Sequence, residues 1–220
     1  MAQTFFIGVA GNIGVGKTTL TRELAQELGW KAYFEPVIEN PYLDDFYKDM
    51  RRWAFHLQIY FLSKRFQSQL EINQSTSSCI QDRTIYEDVE IFAYTLHRQG
   101  SMDDRDYQNY RDFFSMMTDH LRPPDVIIYL RAEVDTLLHR IANRGRDCER
   151  TIKREYLESL NQAYDHWASS AHKITRFAVL DSTHFDPNHD RRLIEEAKKL
   201  LARELIIQPS LLNIRSNPSN

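Results

Sequence analysis

The sequence predicts an α/β fold in which helices flank a five-stranded parallel sheet. Short runs rich in β-branched and aromatic residues alternate with long segments of helical periodicity along the 220 residues of the chain. Alternation of this kind indicates a parallel sheet whose faces are covered by helices. The strand-like runs are Phe5 to Ala10, Lys31 to Phe34, Cys79 to Gln81, Val126 to Leu130 and Phe177 to Leu180.

Helical patterns fill most of the chain between these runs. The longest extends from Met50 to Asn73 and places large apolar residues at roughly helical spacing. Pro123 and Pro124 interrupt the chain just before the fourth strand, as expected of a connection. Further helices are expected from Thr19 onwards and near Tyr86 to Arg98, Asp103 to His120, Val134 to Asn143, Arg154 to Ala168 and Asn188 to Leu205.

The composition is typical of one globular domain, which we assign to residues 1–207, followed by a polar tail at 208–220. Apolar residues make up 42% of the chain and charged residues 27%, so the chain can bury a sizeable core. The formal net charge of -3 provides no global basic field for nucleic acid or an anionic membrane. We therefore expect neither partner, and a phosphate ligand must be met by local charge.

The cysteines and the N-terminus favour a cytoplasmic protein. Cys79 and Cys148 lie in different contexts without a C-x-x-C pattern, which argues against a disulfide framework and against a zinc site. The chain enters its first strand without an export leader, and no apolar run approaches the roughly 20 residues that span a bilayer.

The first strand-like run leads into the pattern G-x-x-x-x-G-K-[ST], a P-loop. Its glycines let backbone N–H groups close around phosphate oxygens, and the following helix directs its positive N-terminal dipole at them. Lys17 can reach the β- and γ-phosphates, and the Thr18 hydroxyl can hold Mg²⁺. The sequence therefore predicts a nucleoside triphosphate site formed by Gly11, Asn12, Ile13, Gly14, Val15, Gly16, Lys17, Thr18 and Thr19.

Charged residues follow the second and third strand-like runs, at the sheet edge where open α/β sheets bind ligands. Glu35 can take the proton of an acceptor hydroxyl or orient that hydroxyl for in-line attack. Asp82 can complete the Mg²⁺ shell opposite Thr18. Arg83 can neutralise charge on the transferring phosphoryl or hold Glu35 in place. The alternatives are a solvated carboxylate at Glu35, and an ion pair or helix cap at Asp82 and Arg83.

An arginine cluster follows the fourth strand-like run. Arg140 and Arg144 are four residues apart and therefore share one helix face. Gly145 lets the chain turn into a loop that carries Arg146. Such a cluster can close over the triphosphate as a lid and stabilise the transition state, although an isolated basic run is usually a solvated face.

Four segments in this order resemble the deoxyribonucleoside kinases of the deoxycytidine, deoxyguanosine and deoxyadenosine kinase type. They read Gly-Asn-Ile-Gly-Val-Gly-Lys-Thr-Thr, Phe-Glu-Pro-Val, Gln-Asp-Arg-Thr-Ile-Tyr-Glu-Asp and Arg-Gly-Arg, and the resemblance covers roughly residues 4 to 170. The segment from Glu39 to Leu43 is similar to the bacterial deoxyadenosine/deoxyguanosine branch. The resemblance implies a P-loop kinase fold with an arginine lid, Mg·ATP as donor, and a homodimer packed through helices near Met50 to Asn73 and Tyr86 to Arg98.

The resemblance also implies residue roles. Glu35 becomes the catalytic base, Asp82 and Arg83 belong to the catalytic centre, and Arg140, Arg144 and Arg146 form the lid. The nucleoside pocket consists of Tyr47, Gln58, Arg65, Asp88, Phe92 and Glu149. In this pocket Tyr47 and Glu149 bind the sugar 3′-hydroxyl, and Phe92 stacks on the base.

Residue spacing supports this pocket independently of the resemblance. Gln58 and Arg65 are seven apart on one predicted helix, and Asp88 and Phe92 are four apart on another, so each pair projects from one face. The alternatives are a core position for Phe92, a plain buried ion pair between Arg65 and Asp88, and a solvated carboxylate at Glu149.

The chemistry of the pocket predicts which base it accepts. The amide of Gln58 can pair with an amino group and a ring nitrogen, and Asp88 can accept from an exocyclic amine. Adenine and cytosine offer both groups, whereas thymine offers no amine. We expect deoxyadenosine first, deoxyguanosine or deoxycytidine next, and thymidine as a poor substrate.

Three competing interpretations share parts of this pattern. A nucleoside monophosphate kinase resembling thymidylate kinase would place an arginine before Glu-Pro to hold the acceptor phosphate, but Phe34 occupies that position. A P-loop protein that binds nucleotide without transfer has no need of a second, nucleoside-shaped pocket. A metal site at His184, Asp186, His189 and Asp190 has a spacing that matches no closed ligand set.

Overall fold

Five strands form a parallel sheet in the order β2-β3-β1-β4-β5. The computed structural model describes residues 4–35, 40–170, 175–186 and 190–205. The five-stranded parallel sheet predicted from the sequence is confirmed. The strands are β1 (Phe6–Gly11), β2 (Lys31–Tyr33), β3 (Cys79–Asp82), β4 (Val126–Arg131) and β5 (Arg176–Asp181).

Helices connect the strands and cover the sheet, as predicted. The helix Arg154–Ser170 shows how this packing is made: its Tyr164 stacks on Tyr129 of β4, and its Trp167 contacts the ring of Phe177 of β5 edge-on. These aromatic contacts hold the helix against the sheet. The helices are α1 (Lys17–Leu28), α2 (Leu43–Lys48), α3 (Met50–Gln74), α4 (Ile85–Glu87), α5 (Tyr94–Arg98), α6 (Asp104–Thr118), α7 (Val134–Arg144), α8 (Arg154–Ser170) and α9 (Arg191–Leu205).

The segment expected to be helical from Tyr86 to Arg98 is helical throughout, but it is not one regular α-helix. The segment contains the end of α4, a six-residue π-helix from Asp88 to Ala93, and α5. In a π-helix each N–H bonds to the carbonyl five residues earlier, which widens the turn, and such segments are frequent at functional sites. Periodicity did not reveal the change because residues four apart still share a face in the wider helix.

Two further helices differ from expectation. Helix α1 begins at Lys17 rather than Thr19, directly after Gly16 in a left-handed conformation. Helix α2 was not predicted at all, because six residues give too short a pattern to distinguish from a turn. It carries Tyr47, so this short helix contributes to the site.

The carboxyl ends of the three strands on one side of the sheet bring the expected site residues together. β1 leads into the P-loop, and Val9 of β1 pairs with Asp82 at the end of β3. The backbone of Glu35 lies two residues beyond the end of β2. All six residues of β1 are buried, so the P-loop starts from the centre of the core.

Some expectations fall outside the described residues. These are the tail at 208–220, Pro36 to Glu39, and the first residues of the helix expected from Asn188. Within the part of the chain that the structure describes, none of the helices combines the length and the apolar character that crossing a bilayer requires.

Candidate active site

The P-loop is a tight turn that only glycine permits at its critical positions. Gly11 has a φ of 144°, and a Cβ there would lie 2.4 Å from the carbonyl oxygen of Leu130. Gly14 has a φ of 81°, and its Cβ would lie 2.7 Å from a side-chain carbon of Ile141. Any larger residue would therefore force the loop away from β4 or from α7.

Asn12 fastens the P-loop to α8. Its side-chain amide donates to the carbonyl oxygen of Leu157 at 2.9 Å and to Asn161 at 2.8 Å, and its Oδ1 accepts from the N–H of Ile13 at 2.7 Å. Through these hydrogen bonds the Asn12 side chain holds the P-loop against α8.

Lys17 is poised at the start of α1. Its Nζ donates to the carbonyl oxygen of Asn12 at 2.9 Å, which folds the side chain back along the loop. Burial, together with the positive charge of Arg83, lowers the pKa of Lys17 to about 8. A bound phosphate would reverse this effect, because an adjacent negative charge favours the ammonium form.

Thr18 and Asp82 form a pair suited to Mg²⁺. The Thr18 hydroxyl donates to Oδ2 of Asp82 at 2.5 Å, while Oδ1 of Asp82 is buried and has no hydrogen-bond partner among the described residues. Burial raises the pKa of Asp82, so its carboxylate lacks sufficient compensation in the protein alone. An orphaned carboxylate oxygen beside a hydroxyl fits a hard cation that also binds phosphate and water.

Glu35 lies between two arginines. Its Oε1 is 3.0 Å from Nη1 of Arg65 and 3.3 Å from Nε of Arg83. Burial alone would raise the pKa of Glu35, but the positive charges of Arg83, Arg65 and Lys17 outweigh it and lower the pKa to about 2. Glu35 is therefore ionised at any physiological pH.

Arg83 is held in an uncommon backbone conformation. Its φ is 67°, the left-handed region that a residue with a side chain rarely adopts, and its N–H donates to the carbonyl oxygen of Val9 at 3.0 Å. The guanidinium lies 4.3 Å from the centre of the Phe92 ring and donates to the hydroxyl of Tyr164 at 2.9 Å. Such strain persists where the surroundings over-determine it, typically at functional sites.

The other side of the cleft presents hydrogen-bonding groups without partners. Nε of Arg65 lies 2.5 Å from Oδ2 of Asp88, whereas Oδ1 of Asp88 and Oε1 of Gln58 are buried and have no partner among the described residues. Burial raises the pKa of Asp88 to about 6 even though Arg65 opposes that shift. Two unpaired acceptors on facing helices suit a ligand that supplies donors.

Tyr47 and Glu149 line the same cleft. Burial, together with Tyr156 and Glu149, raises the pKa of Tyr47 well above its usual value, so its hydroxyl remains a donor at neutral pH. Glu149, which the sequence left open as a solvated carboxylate, is only 4% exposed. It forms ion pairs with Arg144 and, at 3.3 Å, with Arg146.

The three arginines of the expected lid are not equivalent. Arg144 and Arg146 both pair with Glu149 and thereby link the expected lid to the side of the cleft that carries Tyr47. Arg140 instead donates to the carbonyl oxygens of Val15 at 3.1 Å and Ser182 at 2.6 Å. Arg140 therefore holds the P-loop at Val15.

Most of these groups line one cleft of about 1200 Å³. It has room for a nucleoside triphosphate and a second small molecule, since ligand pockets commonly range from about 300 to 1000 Å³. Of the predicted site residues, Gly11, Asn12 and Val15 do not line it. The others do: Ile13, Gly14, Gly16, Lys17, Thr18, Thr19, Glu35, Tyr47, Gln58, Arg65, Asp82, Arg83, Asp88, Phe92, Arg140, Arg144, Arg146 and Glu149.

Comparison with known proteins identifies the family. Residues 7–202 match the family model described as deoxynucleoside kinase. The chain belongs to the deoxynucleoside kinase family. It is 46% identical over 193 residues to the deoxyadenosine/deoxycytidine kinase of Bacillus subtilis (strain 168), a match that covers 86% of this chain and 88% of the relative. It is 37% identical over 160 residues to the deoxyguanosine kinase of the same organism, covering 73% of this chain and 76% of the relative.

Solved structures of the family share the fold. A deoxyadenosine kinase from M. mycoides, solved with the products dCMP and dCDP, matches with a TM-score of 0.79 and 33% identity over 90% of this chain and 99% of that chain. The same enzyme with bound dATP matches with a TM-score of 0.77 and 34% identity over 90% of this chain and 98% of that chain. The fold predicted from the sequence is therefore that of solved deoxynucleoside kinases.

Two residues that contact Arg83 of the candidate site were not predicted from the sequence. Glu87 is fully buried and Tyr164 donates to its Oε2 at 2.6 Å. Glu87 lies within the segment Gln-Asp-Arg-Thr-Ile-Tyr-Glu-Asp and three residues after Thr84, whose N–H it accepts at 2.8 Å. The spacing of Thr84 and Glu87 is that of a capping box, which was the available signal. Nothing local marked Tyr164.

The alternative metal site is not formed by the residues that the structure describes. Within 4–35, 40–170, 175–186 and 190–205, no group of three or more His, Cys, Asp or Glu side chains is placed to hold a metal ion. Of the four residues considered for it, His184, Asp186 and Asp190 are described and His189 is not.

Proposed function

We propose that the protein transfers the γ-phosphoryl group of ATP to the 5′-hydroxyl of a deoxynucleoside, with deoxyadenosine as the preferred acceptor. The observation that supports this most strongly is the shared cleft. One end holds the P-loop with Lys17, and the other holds the unpaired acceptors of Gln58 and Asp88. Glu35 lies between these two ends. A cleft with two such ends suits a reaction between a triphosphate and a nucleoside.

The donor side stabilises charge. Backbone N–H groups of the P-loop and the ammonium of Lys17 neutralise the β- and γ-phosphates, and Arg83 faces the phosphoryl group as it moves. Thr18 and Asp82 would hold Mg²⁺, which supplies charge neutralisation at the phosphate oxygens when bound. Arg144 and Arg146 extend this positive region from the lid, while Arg140 keeps the P-loop in place.

The acceptor side positions the hydroxyl. With a pKa of about 2, Glu35 is a weak base but a reliable hydrogen-bond acceptor. The transition state of phosphoryl transfer is loose, so the hydroxyl becomes acidic only as its bond to phosphorus forms. Glu35 therefore orients the 5′-hydroxyl first and takes its proton late in the step.

Base selection follows from the unpaired acceptors. The exocyclic amine of adenine or cytosine can donate to Asp88, and the amide of Gln58 can both donate to a ring nitrogen and accept from the amine. Thymine has a carbonyl oxygen where cytosine has the amine, and an acceptor placed against the buried carboxylate costs affinity. The Bacillus subtilis relative is a deoxyadenosine/deoxycytidine kinase and the M. mycoides relative is a deoxyadenosine kinase, which supports the same choice.

Tyr47 and Glu149 hold the sugar of the acceptor. Tyr47 donates from its hydroxyl and Glu149 accepts, so the two can bind a 3′-hydroxyl together. Because Glu149 also pairs with Arg144 and Arg146, sugar binding and lid position act on the same carboxylate. Binding of the acceptor sugar to Glu149 would therefore affect the positions of Arg144 and Arg146.

A monophosphate kinase activity is disfavoured by Phe34. This apolar side chain is 44% exposed at the position where an acceptor phosphate would need an arginine.

We propose in addition that the protein is a cytoplasmic homodimer. Leu70 of α3 and Tyr94 of α5 are both 41% exposed, and they lie on the two segments expected to pack between subunits. Light scattering coupled to size-exclusion chromatography tests the dimer, and a mass of one chain would contradict it.

The function is tested with an acceptor panel. Mg·ATP is incubated with deoxyadenosine, deoxyguanosine, deoxycytidine, thymidine or thymidine monophosphate, and products are resolved by chromatography. A 5′-monophosphate formed fastest from deoxyadenosine is expected. Phosphorylation of thymidine monophosphate alone would identify a monophosphate kinase, and the absence of any product would favour a P-loop protein that does not transfer phosphate.

A further inference from the structure

Glu87 is a buried carboxylate that the proposed mechanism leaves without a role. It is fully inaccessible to solvent at the end of α4, directly before the π-helix. Its Oε1 accepts the N–H of Thr84 at 2.8 Å, which ties the carboxylate to the turn that follows Arg83. A charge buried to this extent is retained only with strong partners.

The other oxygen of Glu87 joins three elements. Oε2 accepts the N–H of Gly11, the first P-loop glycine, at 3.3 Å and the hydroxyl of Tyr164 at 2.6 Å. It also lies 3.6 Å from Nη1 of Arg83. Nη1 in turn donates to the Tyr164 hydroxyl at 2.9 Å, so the carboxylate, the hydroxyl and the guanidinium form a closed triangle.

This triangle fixes the direction of the Arg83 guanidinium. Among the described residues, its hydrogen bonds use Nε toward Glu35 and Nη1 toward Tyr164. Nη2 is thereby left for a phosphoryl oxygen. Without the anchor at Nη1, rotation about the Cδ–Nε bond could turn the planar guanidinium away from this orientation.

We infer that Glu87 is a positioning residue that holds Arg83 in register with the P-loop, through Tyr164. The inference rests on the proposed kinase function. Because Gly11 and Arg83 attach to the same carboxylate oxygen, the loop that holds the donor phosphates and the arginine that meets the transferring group keep one relative position. Rate in phosphoryl transfer depends strongly on such positioning.

A carboxylate is required at this position rather than an amide. Its two oxygens accept from the N–H of Thr84, the N–H of Gly11 and the O–H of Tyr164, all of which are donors. The amide of Glu87→Gln would turn an NH₂ group toward one of these donors and leave that side unpaired. We expect this variant to lose activity, but buried substitutions of this kind can also impair folding.

Tyr164→Phe is therefore the principal test. It removes the hydroxyl and retains the ring, which stacks on Tyr129 at a centroid distance of 5.4 Å. Tyr129→Phe is the matched control, because it removes a hydroxyl from the same stack that donates to Asp165 instead of contacting Arg83. We expect Tyr164→Phe to lower kcat about tenfold or more, with the KM of both substrates nearly unchanged. Tyr129→Phe should change kcat by less than about twofold.

A double-mutant cycle separates positioning from a merely structural role. If the hydroxyl acts through Arg83, then Tyr164→Phe in an Arg83→Lys background changes kcat by less than about twofold. An equal loss of kcat in both backgrounds, or no loss in the single variant, would overturn the inference.

A second readout needs no activity. In ¹⁵N-labelled protein without substrate, the Arg83 Nε–H resonance, assigned by its loss in Arg83→Lys, should be sharp in the wild type and exchange-broadened in Tyr164→Phe. An unchanged resonance in Tyr164→Phe would refute the positioning role. If the wild type phosphorylated no deoxynucleoside, the proposed function would fail, and this resonance would still decide the role of Glu87 and Tyr164.

Discussion

Substitution of Glu35 by glutamine separates chemistry from binding. The change keeps the size of the side chain and removes its negative charge, while Arg65 and Arg83 remain in place on either side. We expect kcat for deoxyadenosine to fall by about 10²- to 10⁴-fold, the usual contribution of a positioned acid or base. The KM values for deoxyadenosine and ATP should change little, since neither the P-loop nor the base pocket is altered.

The stability cost of Glu35→Gln can be worked from the ion pairs. The pKa of Glu35 falls from 4.5 to about 2, a difference that corresponds to about 3 kcal/mol in favour of the charged form. Because the folded-state pKa is depressed, this stabilisation is fully present above about pH 5 and is lost as the pH falls towards 2. At pH 7 the variant should therefore be less stable than the wild type, and the two should converge in acid.

Steady-state kinetics with Mg·ATP, calorimetric binding of deoxyadenosine, and urea unfolding at pH 7 and pH 3 measure these effects. Glu71→Gln is the control, because its carboxylate is 64% exposed and lies outside the cleft. Near-normal kcat in Glu35→Gln, with binding intact, would refute the role of Glu35 in the reaction.

Three further predictions concern the rest of the cleft. The pKa of Asp88 is raised to about 6, so the carboxylate that accepts from the base forms as the pH rises from about 5 to 7, and the KM for deoxyadenosine should fall over that range. Asp88→Asn should flatten this pH profile of KM. A wild-type KM that is independent of pH would contradict the prediction. Gln58→Leu should raise the KM for deoxyadenosine about tenfold or more while leaving the affinity for Mg·ATP intact, measured by calorimetry. Lys17→Ala should reduce kcat by at least about 10²-fold, and near-wild-type turnover would exclude a contact with the transferring phosphate.

Much of the fold was predictable because it depends on local pattern. The strands of a parallel sheet are buried and read as short apolar runs, and the P-loop needs glycines at fixed spacing. Helix α2 and the π-helix were not predictable in this way. Helix α2 has only six residues, too few to show a helical period in the sequence. In the π-helix, residues four apart share one face, as they do in an α-helix, so the sequence pattern does not distinguish the two.

The candidate site was predictable only where its residues share an element. Gln58 and Arg65 project from one face of α3, so their spacing was informative. The pairing of Glu35 with Arg65 and of Arg144 with Glu149 depends on how elements pack, which spacing cannot show. The buried triangle of Glu87, Tyr164 and Arg83 joins three separate elements and had no signature beyond a capping-box spacing.

The most direct test of the central claim is a competition for the acceptor site. Deoxyadenosine and thymidine are supplied together in equal amounts with limiting Mg·ATP, and the 5′-monophosphates are quantified over time. Because Asp88 and Gln58 need an amine and a ring nitrogen, deoxyadenosine monophosphate should be almost the sole product. Predominant thymidine monophosphate, or consumption of neither nucleoside, would contradict the account.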